Sequence, residues 1–131
     1  MKSIVPYHDL IGVPWKDRGR DMSGLDCYGL LMVLFARKGV LFPDFDYPQD
    51  AETSLVHRLI CENKSLAEPI SAPEPWGIVS IAIIPPYESH LGMVINLYEF
   101  VHVRMDTRVT VSRIDSPLWR MRIRGLYRWK G

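Results

Sequence analysis

Apolar residues fall at a helical interval in the middle of the first half of the chain. Cys27, Leu30, Leu31, Leu34 and Phe35 stand at i, i+3, i+4, i+7 and i+8, the spacing of one buried helix face. The pattern predicts a helix over 26–38, closed by Gly39 as the left-handed residue just past its end. Ahead of it, residues 1–12 read as a short helix or turn, and Pro14 with the charged run Lys16 to Asp21 reads as a loop. Prolines and acids make 40–50 another loop. Leu55, Leu59 and Ile60 then predict a second helix over 52–62, followed by a loop marked by Pro69, Pro73 and Pro75.

Beyond residue 76 the period changes. Residues 77–84 are rich in β-formers and stop at Pro85-Pro86. Further strands are predicted at 89–95, 100–103, 109–114 and 123–129. Helices first and strands after imply an α+β architecture, with N-terminal helices packed on a central antiparallel sheet, in one domain over 1–131. A hairpin turn centred on Asn96 sets His90 directly opposite His102, both on one sheet face.

Composition changes this picture little. Hydrophobic residues make up 47% and charged residues 24%, ordinary for a chain with a real core. The net charge of +1 is unevenly spread. Residues 101–131 hold eight Lys/Arg against two acids, and residues 1–100 eight against thirteen. Arg120, Arg122, Arg124, Arg128 and Lys130 are read as the solvated side of a strand, with Met121 and Ile123 inward. No nucleic-acid partner is expected, because overall charge is near neutral and no recognition motif is present. Two cysteines make no disulfide framework. The first residues lack an apolar stretch with a cleavage motif, and no run is long enough to span a membrane. The expectation is synthesis in a cytoplasm without an export signal.

Cys27 carries the candidate chemistry. A thiol in the first turn of a helix faces unsatisfied N–H groups and a partial positive charge, which favour thiolate. A base need not be near in sequence. His90 is the candidate base and His102 its orienting partner, with the Cys27 N–H as an oxyanion donor. Each of these residues also has a bland reading as core packing. His57 and Cys61, four apart on the second helix, are read as packing rather than as metal ligands. Asp26 is either a helix cap or a binding residue.

Taken together, Gly12-Val13-Pro14-Trp15, Gly24-Leu25-Asp26-Cys27-Tyr28-Gly29-Leu30, Ser89-His90-Leu91-Gly92-Met93 and Val101-His102 resemble the NlpC-type cell-wall cysteine peptidases. The resemblance implies a papain-like fold and a Cys27–His90–His102 triad, with no cofactor or metal. It also implies Trp15, Asp26, Tyr28 and Ser89 around the substrate. The implied activity is hydrolysis of a peptidoglycan stem peptide, commonly between γ-D-glutamate and a diamino acid. This sequence departs from the usual pattern at Trp15 for tyrosine, Tyr28 for serine and Arg18 for glycine. The Asp26-Cys27-Tyr28-Gly29 variant resembles single-domain members from bacteriophage tails and prophages, which implies tail proteins as partners and delivery to the wall in a tail. Two other readings stay open: a tail-assembly protein with weak or no catalysis, and a related Cys–His amidase or acyltransferase.

Overall fold

A computed structural model describes residues 4–131. The predicted turn over 1–12 is a 3-10 turn at His8–Leu10. Residues 1–3 of that segment lie outside the described residues.

The first predicted helix is α1, Cys27–Arg37. Asp26 is its N-cap and its side chain accepts from the Gly29 N–H, replacing one of the bonds that every helix start lacks. Gly39 follows the end with φ +78°. Leu30, Leu31, Leu34 and Phe35 are buried, as the spacing requires. The second predicted helix is α2, Thr53–Glu62, with Glu52 at the N-cap position but making no side-chain capping bond.

The charged loop ahead of α1 contains what its sequence does not advertise, a small ladder of β1 (Arg20–Asp21) on β2 (Gly24–Leu25). Gly29 lets it approach α1: a Cβ there would lie 1.9 Å from the Gly19 carbonyl oxygen. Only a residue without a side chain fits.

The main sheet has six strands: β3 (Ala67–Pro69), β4 (Ile78–Ile81), β5 (His90–Val94), β6 (Glu99–His102), β7 (Thr110–Arg113) and β8 (Ile123–Trp129). Their order is β3-β8-β4-β5-β6-β7, and every pairing is antiparallel. The α+β architecture therefore stands. β3, inside the expected proline loop, adds an edge strand. A further short helix, α3 (Pro117–Arg120), interrupts the alternation expected near Met121. Met121 is accordingly 73% exposed rather than inward. Arg120, Arg124, Arg128 and Lys130 are exposed, as expected of a solvated side, and Arg128 is paired there with Glu68 and Glu74.

The sheet divides the core. Leu91, Met93, Val101 and Val103 join the α1 side chains on one face. Val79, Ile81, Val94 and Phe100 pack with Trp119 of α3 on the other.

The hairpin register differs from the expected one. Met93 pairs with Val101 and Val94 with Phe100, a shift of two residues. His90 and His102 are therefore diagonal neighbours rather than directly opposed. Because strand side chains alternate with period two, an even shift leaves both on the same face.

Candidate active site

His90 opens β5 and is 4% exposed, while His102 closes β6 and is 1% exposed. Their diagonal placement brings His90 Nε2 to 2.8 Å from His102 Nδ1. His102 Nε2 lies 2.8 Å from Ser112 Oγ on β7, and the edge of the Trp119 ring covers His102 at 4.8 Å. The His90 Nδ1 has no hydrogen bond among the described residues. Burial, with the neighbouring His102 and Arg104, holds the His90 imidazole well below its ordinary range. Burial first, then Arg104, lowers His102 to about 4. Both rings are neutral near pH 7.

Cys27 approaches from the α1 side. The Leu91 and Tyr28 backbone amides favour its thiolate, and so does Arg20. Burial and the Asp26 carboxylate outweigh them and push the thiol up to about 12. The expected depressed thiol is therefore not the resting state. Cys27 touches the backbone of Leu91, next to His90, but no hydrogen bond joins its sulfur to the imidazole among the described residues. The His90 ring packs on the Trp119 side of the sheet at 6.4 Å between centroids. The structure thus joins His90 to His102 and brings Cys27 to the residue after His90.

The other expected site residues divide. Tyr28 lines a cavity with Cys27 and donates its hydroxyl to the Pro43 carbonyl. Asp26 is occupied by the protein itself. Its Oδ1 accepts from Gly29 N at 2.7 Å and Arg20 Nη1 at 2.9 Å, and its Oδ2 from Arg18 N at 3.0 Å and Tyr47 OH. It is a cap, not a group left open to a peptide. Trp15 is bridged to Leu25 and packs on the core. Trp15 and Ser89 are not among the residues lining the cavity.

That cavity has a volume of about 120 Å³ and opens to solvent. It lies between α2 and the sheet, with Phe42, Phe45, Leu59, Ile60, Leu91 and Trp129 on its walls. His57 and Cys61 meet Glu88 nearby, with one possible ligand atom from each lying within 4.8 Å of the others. Yet His57 Nδ1 already accepts the Glu88 N–H at 2.8 Å, and Lys64 and Ser80 hold the Glu88 carboxylate. The group is internally satisfied.

Ser112, Arg20 and Tyr47 were not legible as site residues. Ser112 reaches His102 only through the β6–β7 register, and Arg20 reads as one charge in a charged loop.

Residues 12–128 match the NlpC/P60 family. The chain belongs to the NlpC/P60 family. It is a family of cell-wall peptidases and related hydrolases. Two solved structures of NlpC/P60 proteins share the fold. A Staphylococcus aureus protein described as similar to a lipoprotein superposes with a TM-score of 0.66 at 16% identity, over 92% of this chain and 38% of its own. A Bacillus cereus family member gives 0.67 at 16% identity, over 93% of this chain and 37% of its own. The NlpC/P60 chain described here thus spans well under half the length of either. A search of curated proteins found no match. No helix among the described residues is long and apolar enough to cross a membrane.

Proposed function

We propose that this NlpC/P60 chain is a cysteine peptidase of the peptidoglycan stem peptide. Cys27 is the nucleophile, His90 the base and later the acid, and His102 the residue that orients His90. The observation that carries the reading is the 2.8 Å bond between His90 Nε2 and His102 Nδ1, with a thiol in the first turn of α1 that touches the backbone of Leu91, the residue after His90. That bond occupies one nitrogen of His90 and leaves Nδ1 for a proton.

Both partners are neutral at rest, so the chemistry is general-base catalysis rather than a standing ion pair. The thiol proton passes to His90 Nδ1 as sulfur attacks the scissile carbonyl. The same proton then goes to the leaving amine. The Cys27 N–H has no acceptor among the described residues and is free to hold the developing oxyanion. The required approach of sulfur to imidazole accompanies substrate binding in this reading. Cleavage between γ-D-glutamate and a diamino acid, and carriage by a phage tail with tail proteins as partners, extend the proposal. The choice of bond rests on the resemblance to the NlpC-type peptidases as a whole, and the tail on the Asp26-Cys27-Tyr28-Gly29 variant.

Digestion of purified peptidoglycan by wild type and Cys27→Ala, read by product mass, tests it. New stem fragments from wild type alone support the peptidase. Identical products from both proteins would remove it.

A further inference from the structure

α2 is amphipathic, yet none of its residues is buried. Arg58 and Glu62 face solvent and pair with each other at 3.9 Å. Val56, Leu59 and Ile60, at i, i+3 and i+4, line the cavity, and of the three only Ile60 also packs against the main core. A helix with a clear apolar face gains stability by covering apolar surface. This one covers a space that Cys27 also lines.

Apart from the Trp129 Nε1, which is buried without a hydrogen-bond partner, the polar side chains on the walls are turned to partners within the protein. The Tyr28 hydroxyl bonds the Pro43 carbonyl and the Tyr47 hydroxyl bonds Asp26. Asn63 Nδ2 donates to the Leu59 carbonyl at 2.7 Å. Ser80 Oγ and Lys64 Nζ both donate to Glu88 at 2.9 Å, and the Tyr127 hydroxyl interacts with Lys64. Such walls offer a charged or amide-rich group little in exchange for its water. They suit aliphatic surface.

We propose that this cavity binds an apolar acyl group, presented as an ester whose carbonyl lies at Cys27. The inference rests on Cys27 as nucleophile and goes beyond the stem-peptide reading, because it assigns the chain a second substrate class. His90 takes the thiol proton, sulfur bonds the carbonyl carbon, and the carbon–oxygen bond breaks. The alcohol leaves with that proton. Water then attacks the thioester, the carbon–sulfur bond breaks, the carboxylic acid departs and the thiol regains a proton.

Two measurements test the site and the step separately. Titration calorimetry of Cys27→Ala with decanoate should show one saturable site per chain. For wild type, kcat/KM should be at least about tenfold higher for p-nitrophenyl decanoate than for the acetate, since the longer chain buries more methylenes. That ratio should fall toward one in Leu59→Lys, which places a charge in the cavity. It should also fall in Val56→Trp, which fills the cavity without one and guards against misfolding of the first variant. Absence of decanoate binding, a flat chain-length profile, or a ratio untouched by both variants overturns the proposal. Decanoate binding with ester hydrolysis equal in wild type and Cys27→Ala overturns the acyl step and the nucleophile together, and leaves the binding site standing.

Discussion

His90 Nε2 and His102 Nδ1 lie 2.8 Å apart in a buried pair. A base at His90 Nδ1 requires the ring proton on Nε2, donated to His102 Nδ1. His102 then carries its own proton on Nε2, where Ser112 Oγ is 2.8 Å away. Three groups form one directed chain of donors, and its direction fixes which nitrogen of His90 is free.

Breaking the chain at its middle should therefore misorient the base without removing it. We expect His102→Ala to lower kcat/KM by about 10²- to 10⁴-fold. His102→Asn, which can still accept from His90, should recover part of the loss. The pH–rate profile of the Ala variant should also shift, because His90 loses the neighbour that helps depress its pKa. An Ala variant with unchanged rate and profile would leave His102 a packing residue.

The same pair should make the protein acid-sensitive. His102 titrates at about 4 in the fold against an ordinary 6.5, and His90 is lowered too. The unfolded chain binds these protons first as pH falls. Stability is thus complete above about pH 6.5 and is lost progressively toward pH 4, by on the order of 3 kcal/mol for His102. Thermal melts across this range should show Tm falling, with a shallower fall in His102→Asn. A Tm flat from pH 6.5 to 4 would contradict the depressed values.

Helix α1 was legible because its apolar spacing, its Asp26 cap and its Gly39 stop all agree. The strands were legible for the same reason, and so was the shared face of His90 and His102, since an even register error preserves it. The register itself was not, because the hairpin between Val94 and Phe100 has no turn signature strong enough to count residues. The β1–β2 ladder was hidden in charged sequence, since its strands have two residues each. The balance of effects on the thiol was not legible, for a physical reason. A helix start favours thiolate, but motif reading does not show depth, and burial dominates the charge balance at Cys27.

Resting Cys27 should accordingly be a sluggish thiol. With its value pushed up to about 12, native-state labelling by iodoacetamide at pH 7.5 should be at least ~100-fold slower than in the urea-unfolded chain, where free thiols titrate near 8.5. Peptide mass spectrometry resolves Cys27 from Cys61. Equal native and unfolded rates would point to a thiolate already formed at rest.

Gly29→Ala should be more damaging than its small change suggests. The added methyl would meet the Gly19 carbonyl oxygen at 1.9 Å, and backbone on both sides cannot yield as a side chain does. We expect a loss of about 3 kcal/mol or more. Gly39→Ala is the control, with open space around it but φ +78°, and should cost about 1 kcal/mol. Denaturant melts with similar midpoints for the two variants would mean that the β1–β2 ladder moves away freely.

Tyr28 stands where the family pattern has serine, and its ring borders the cavity that Cys27 lines. It packs against Phe42 at 5.1 Å and Phe45 at 5.8 Å between centroids, and its hydroxyl ties the ring to the Pro43 carbonyl. The ring therefore narrows the space beside the nucleophile and is held there from two sides. Tyr28→Ser should open that space and broaden the stem peptides accepted. It should also destabilise the fold by about 2–4 kcal/mol, through lost ring contacts and the cavity left behind. Tyr28→Phe keeps the ring and loses only the tie to Pro43, so its preference profile should stay close to wild type. The comparison is kcat/KM across one panel of stem peptides, because that ratio measures discrimination. If the folded, active Ser variant ranks the panel as wild type does, the ring does not shape the site. A change in the Phe variant as large as in the Ser variant would instead assign the selectivity to the hydroxyl and the loop it holds.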